Sequence, residues 1–229
     1  MARGSVSNED AAMIQSAFTI QGVTVYHADC LDVLPQLEAG SVDAVVTDPP
    51  YGVNIAAWDG EMPPQHILTD CLRVAVGAVI WFGAATKLFG FADYVPRPDR
   101  IAVWAPRFTL SKTSSNGMFY RWHPIALWRL GKTTLGSDLL DVPCDGHNWW
   151  NHPATKPVPL FTKLIKSTCS KIVLDPFAGS GTTGVACIKT GRRCILIEKE
   201  AKYVEIIRRR LTDASTPLLD KCTETLEQP

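Results

Sequence analysis

Short apolar, β-branched runs along this chain alternate with amphipathic ones, and that alternation sets the elements it predicts. Val23–His27 and Val42–Thr47 (VDAVVT) read as strands. Val74–Phe82 reads as a helix end or a strand running into Gly83. Ile101–Trp104 and Ile125–Trp128 read as two strands, with the polar loop Ser111–Gly117 between them. Pro159–Thr168 places Leu160, Leu164 and Ile165 on one helical face. Ile172–Leu174 reads as a buried strand, Thr182–Thr190 as a helix stopped by Gly191, and Cys194–Ile197 as a strand. Ala201–Leu211 reads as a helix whose basic last turn suits its dipole. Strands alternating with helices predict an α/β fold around a mainly parallel sheet. Residues 1–17 and 213–229 read as polar tails around a single domain at 18–212, and the Gly-, Asp- and Pro-containing stretch 131–149 reads as loop.

Composition narrows the class. The 229 residues, 46% hydrophobic and 20% charged, suit one ordinary domain. A chain of this length buries roughly 70% of its unfolded surface and needs no disulfide or metal staple. The longest apolar run, Val74–Ala85, falls short of the ~18 residues a spanning helix needs. Met1–Asp10 is polar and has no apolar signal core, so the expectation is a cytoplasmic protein with no membrane partner. The seven cysteines are odd in number and form no Cys-x-x-Cys pair, which predicts free thiols and no structural metal.

The net charge of zero hides a polarised chain. Residues 1–72 carry ten acidic side chains and one basic one, residues 97–132 carry seven basic and one acidic, and residues 151–211 carry twelve basic and four acidic. Such asymmetry points to a polyanionic partner met by one surface. Around the polar loop, Arg107, Lys112 and Arg121 are the candidates for phosphate contact, whereas Trp104 and Trp128 read as core strand residues. The run Arg208–Arg210 reads as a solvated helix end.

Two motifs carry chemistry. The segment Asp175-Pro176-Phe177-Ala178-Gly179-Ser180-Gly181-Thr182-Thr183 follows a short apolar strand and opens a helix. Gly179 and Gly181 allow a tight turn and close approach of a ligand, and the segment reads as a two-glycine turn. A phosphate loop does not fit, because no Lys follows the glycines. Glu198 ends the next strand, where nucleotide-binding sheets hold ribose hydroxyls. Asp175 would repel a pyrophosphate but accept from an ammonium, which favours a cationic, nucleoside-bearing ligand. The second motif is Asp48-Pro49-Pro50-Tyr51, placed directly after a strand. Two prolines stiffen the backbone and remove two N–H donors, leaving a carboxylate, fixed carbonyls and an aromatic ring as a grip for an amino group.

These two motifs, in this order, resemble those of the β class of amino-group DNA methyltransferases, and the likeness covers most of residues 23–211. The resemblance implies a Rossmann-like methyltransferase fold: a mainly parallel seven-stranded sheet, an antiparallel edge hairpin and a circularly permuted motif order. It implies S-adenosylmethionine as donor and double-stranded DNA as partner, in a bacterial or phage setting. Tyr26-His27-Ala28-Asp29-Cys30-Leu31 resembles the family's early acidic motif, which implies Asp29 and Cys30 near the donor's adenine. His152-Pro153-Ala154-Thr155-Lys156-Pro157 resembles its His-Pro-x-x-Lys-Pro motif, which implies Lys156 near the donor's carboxylate. The family carries Glu after a His where this chain has His123-Pro124. The implied catalytic set is Asp48, Pro49, Pro50 and Tyr51. The implied donor set adds Asp175, Pro176, Phe177, Ala178, Gly179, Ser180, Gly181, Thr182 and Glu198. Asp at the head of the first motif favours the N6 amino group of adenine. The N4 amino group of cytosine, RNA methylation and a silent DNA-binding regulator are the alternatives. The stretch 131–149 is short for target recognition, and dimerisation could supply further contacts. All of this requires Asp48 and Gly179 to border one pocket.

Overall fold

In the computed structural model, which describes residues 15–54, 59–106, 122–131, 133–143, 155–168 and 170–216, the apolar runs become strands of one sheet. They are β1 (Phe18–Ile20), β2 (Val23–His27), β3 (Ala44–Thr47), β4 (Val79–Phe82), β5 (Arg100–Trp104), β6 (His123–Trp128), β7 (Leu139–Leu140), β8 (Ile172–Asp175) and β9 (Arg193–Glu198). The helices are α1 (Cys30–Val33), α2 (Gln65–Val74), α3 (Val158–Ser167), α4 (Thr182–Lys189) and α5 (Ala201–Ser215). The strand order is β1-β2-β9-β8-β3-β4-β6-β5-β7.

Five neighbouring strands, β2-β9-β8-β3-β4, run parallel. Parallel strands covered on both faces read as continuous apolar runs, and the central strands β8, β3 and β4 do. Val46, Ile80, Phe82 and Leu196 pack on the face covered by α3, α4 and α5. Val45, Val79, Trp81 and Ile197 pack on the opposite face with residues of α1 and α2. The expected α/β fold is therefore the observed one.

Nine strands form the sheet among the described residues, where seven were expected. The first extra strand, β1, makes an antiparallel hairpin with β2. Gln21 (φ 47°) and Gly22 (φ 78°) take the two left-handed positions of its tight turn. The second, β7, lies inside the stretch read as loop, and two residues are too short to show a period. The expected antiparallel edge hairpin is β1–β2, and β5 and β6 also pair antiparallel, with β7 outside β5. The run Val74–Phe82 divides: α2 closes at Val74 and β4 opens at Val79. Between them a Cβ at Gly77 would sit 2.7 Å from the Asp43 carbonyl oxygen, so only glycine fits. At the other end α5 runs to Ser215, three residues into the stretch read as tail. Among the described residues no helix is long and apolar enough to cross a membrane.

Candidate active site

Two crossovers leave the middle of the sheet in opposite directions. β3 passes through α2 to β4 on one side, and β8 passes through α4 to β9 on the other. The crevice at the carboxyl ends of β3 and β8 is the place where an open α/β sheet binds its ligand. Asp48 follows β3 directly, and Asp175 is the last residue of β8. The two strand ends are joined, since Thr47 Oγ1 donates to Asp175 Oδ1 at 2.7 Å.

On the β3 side the carboxylate of Asp48 is gripped from two directions. Lys156 Nζ donates to its Oδ2 at 2.6 Å, and the Tyr51 hydroxyl donates to its Oδ1. Lys156 Nζ also reaches the Tyr51 hydroxyl at 3.1 Å. Burial, followed by the Asp48 charge, pushes the Tyr51 phenol upward, so it stays protonated and donates. Tyr51 is only 8% exposed, and its hydroxyl is held by Asp48 and Lys156. The backbone of this motif is held by a residue with no sequence signal, Asp59. Its buried Oδ1 accepts from Tyr51 N at 2.5 Å and from Gly52 N at 3.0 Å.

On the β8 side, Gly179 (φ 51°) and Gly181 (φ 79°) take left-handed conformations that suit glycine. A Cβ at Gly181 would also meet Ile207 Cγ1 at 2.9 Å. The two-glycine reading of this turn is too narrow. Gly184 completes a Gly-x-Gly-x-x-Gly spacing, and a Cβ there would lie 2.9 Å from the side chains of Leu196 and Leu211. It thus serves the close helix–strand packing of the third glycine in such turns.

The two carboxylates of the turn are already engaged. Asp175 accepts from Thr47, from Thr183 Oγ1 at 2.5 Å and from Phe177 N at 3.0 Å, so one of its lone-pair sites remains for an ammonium. Burial raises it to about 6, against those three donors. Glu198 Oε2 accepts from Gly179 N and its Oε1 from Glu200 N, both at 2.8 Å. Each oxygen keeps one lone-pair site, and both are fixed in direction.

One cavity, with about 980 Å³ of empty space including its open mouth, joins the two sides. Asp48, Pro49, Pro50, Tyr51, Asp29, Cys30, Lys156, Asp175, Pro176, Phe177, Ala178, Gly179, Ser180, Thr182 and Glu198 all line it, whereas Gly181, which packs against Ile207, does not. Asp29 also caps α1, accepting from Leu31 N at 3.0 Å. Burial, and after it the Asp29 charge, pushes the Cys30 thiol up to about 12, which leaves it no part as a nucleophile. Lys156 sits on Asp48 and Tyr51, a pairing across 108 positions that no local pattern encodes. Lining residues that sequence reasoning missed include Asp59, Phe161, Lys199 and Tyr203.

His123 does not reach this cavity's lining. Its ring stacks on Trp104, with centroids 5.0 Å apart, and burial lowers it to about 3, so it is neutral. Arg107, Lys112 and Arg121, the expected phosphate contacts, lie outside the described residues. Among the described residues no group of three or more His, Cys, Asp and Glu side chains is placed to hold a metal.

Comparison with known proteins gives a consistent result. Residues 99–209 match the family of N6/N4 methyltransferases described as DNA methylase. The chain is 39% identical to the Type II methyltransferase M2.LlaDCHI of Lactococcus lactis subsp. cremoris, over 89% of this chain and 94% of that protein. It is 28% identical to the DNA adenine methyltransferase YhdJ of Escherichia coli K12, over 86% of this chain and 85% of that protein. In fold it is similar to the crystal structure of an M1.HpyAVI–SAM complex. The TM-score is 0.65 at 23% identity, covering 82% of this chain and 99% of that one.

Proposed function

Because the chain belongs to the DNA methylase family, we propose that it transfers a methyl group from S-adenosylmethionine to the N6 amino group of adenine in double-stranded DNA. The observation that carries this reading is the shared cavity, in which a carboxylate suited to an amino group faces a glycine turn suited to a nucleoside. The alternative acceptor is the cytosine N4 amino group, which the matched family also covers. The similarity to a named adenine methyltransferase, and Asp48 at the head of its motif, favour adenine.

The residues present fit the donor. Glu198 offers two fixed acceptors to the ribose hydroxyls, and Asp29 and Cys30 border the place for its adenine. When bound, S-adenosylmethionine supplies an activated methyl on a sulfonium. An exocyclic amine on a base is a poor nucleophile, because its lone pair is spread into the ring. Asp48 retains lone-pair sites beyond those taken by Lys156 and Tyr51, and it accepts one N–H of the amine. The carbonyl of Pro49 accepts the other. Both draw the amine's lone pair toward the methyl, so the protein supplies orientation and electrostatics for an in-line displacement. The nitrogen becomes acidic only once it has taken the methyl, and it then passes its proton to the Asp48 carboxylate that already accepts from it, so no strong base is needed beforehand. The base reaches this site by leaving the duplex stack, at a few kcal/mol. The short stretch 131–149 fits a short recognition site, with a second copy of the chain to extend the contact.

The test is incorporation of labelled methyl into duplex DNA, followed by base-resolved mapping of the product. N6-methyladenine in one sequence context is expected. Methyl on the cytosine N4 would overturn the adenine reading, and no incorporation would overturn the enzymatic one.

A pH dependence follows from Glu198. Burial pushes it up to about 7, against the pull of the two backbone N–H donors. Ribose hydroxyls donate best to the ionised form, so donor affinity is expected to rise as pH climbs through about 7 and to fall below it. Calorimetric titration with donor between about pH 6 and about pH 8 reads this, and Glu198→Gln is expected to bind more weakly and flatten the profile.

A further inference from the structure

Arg208, Arg209 and Arg210 lie in the middle of α5, which runs on to Ser215, so the basic last turn expected from the sequence is not formed, and the three do not behave alike. Arg208 and Arg209 pair loosely with Glu205, and their side chains are 47% and 70% exposed. Arg210 is 6% exposed. At 100° per residue, positions 207, 210 and 211 share one helical face, and Ile207 and Leu211 are fully buried there. A guanidinium on such a face is costly unless its N–H groups find acceptors.

Arg210 Nη1 finds them in the glycine turn. It donates to the Ser180 carbonyl at 2.8 Å, to the Ser180 hydroxyl at 2.7 Å and to the Thr182 hydroxyl at 3.2 Å. Burial lowers its pKa to about 10, so it remains charged near neutral pH. Ser180 and Thr182 both line the cavity. Thr182 Oγ1 in turn donates to the Lys156 carbonyl at 3.2 Å, so the contact extends to the segment whose ammonium sits on Asp48. The turn is thereby held from two sides, by Glu198 on the Gly179 N–H and by Arg210 on Ser180 and Thr182.

We propose that Arg210 is a positioning residue for the methyl donor: from α5 it fixes Ser180 and Thr182 in the shape that admits S-adenosylmethionine. The proposal rests on the donor reading given above. Arg210 acts through the turn, so its removal changes donor affinity and leaves the transfer step and the DNA contact alone. Without it a carbonyl and two hydroxyls at the cavity wall lose their charged donor and reorient into the space the ligand needs.

The test uses the full chain as wild type, Arg210→Met and Arg210→Lys. Each is titrated calorimetrically with S-adenosylmethionine, melted, and assayed for kcat and for KM of donor and DNA. Arg210→Met is expected to raise the donor Kd by about tenfold or more, with kcat at saturating donor and KM for DNA within about twofold. Arg210→Lys keeps the charge but not the fork, and a rise of about threefold is expected; it carries the test if the Met variant does not fold. Lower melting with unchanged donor Kd in the folded variants makes Arg210 merely structural and overturns the proposal. So does a DNA-binding salt slope reduced by about one, which would place Arg210 on a phosphate. If wild type takes no donor, the donor reading falls and this proposal with it. If wild type and both variants bind donor equally, this proposal falls alone.

Discussion

Asp48→Ala is expected to lower methyl transfer by about 10³-fold while the donor Kd stays within about threefold of wild type. The first part follows from the acceptor's chemistry. The carboxylate draws the amine's lone pair forward, and the neighbouring carboxylates are already engaged, Asp59 by the N–H groups of Tyr51 and Gly52 and Asp175 by Thr47, Thr183 and Phe177 N. The second part follows from the site's division of labour, because Asp48 belongs to the β3 side while Glu198 and the glycine turn belong to the β8 side. The same substitution has a stability signature. Lys156 is 6% exposed and its ion-pair partner Asp48 is 17% exposed, so removing the carboxylate leaves a mostly buried ammonium with the Tyr51 hydroxyl. A loss of about 1–3 kcal/mol is expected, and Lys156→Met in the same background should recover part of it. Labelled-methyl incorporation, calorimetry and thermal melts read the three effects separately. Undiminished incorporation by Asp48→Ala would remove this carboxylate from the chemistry.

Gly179→Val is expected to produce the opposite pattern: donor affinity lowered on the order of 100-fold, with most of the fold retained. Gly179 adopts φ 51°, where a β-branched residue is strained by about 2 kcal/mol. Its N–H donates to Glu198 Oε2 at 2.8 Å, so relieving that strain by shifting the backbone also turns the carboxylate that meets the ribose. The added side chain stands at a position that lines the cavity. Calorimetric titration decides the matter, and normal donor affinity in this variant would sink the glycine-turn argument. Together the two substitutions separate the halves of the site, one losing chemistry with the donor bound and the other losing the donor.

Both halves were legible in the sequence for the same reason. Each motif is a break of proline or glycine set immediately after an apolar run, and a parallel sheet turns that pattern into loops along one edge. The parts that were not legible depend on distant or very local geometry. The ion pair between Lys156 and Asp48 joins residues that no periodicity relates. Asp59 clamps the backbone of Tyr51 and Gly52, yet an aspartate eight residues past a turn carries no signal of its own. Two leucines suffice for β7 because β5 offers a partner, not because the segment has a strand pattern of its own. Arg210 was hidden by its neighbours. A run of three basic residues reads as solvated, and only the helical phase set by Ile207 and Leu211 separates the third from the other two. Gly184 was visible in the spacing and asked only to be counted from Gly179.

The interleaving of the sheet has a consequence for synthesis. β8 and β9 lie between β2 and β3, although the chain makes β2 and β3 well over a hundred residues earlier. A nascent polypeptide that has emerged as far as β6 therefore holds two strands whose inward edges have no partner. Those edges stay open until the last two strands leave the ribosome and slot in. Completion of the sheet must wait until β9 has emerged, and translation speed and chaperone cover over that interval bear directly on how much of the protein reaches its native form.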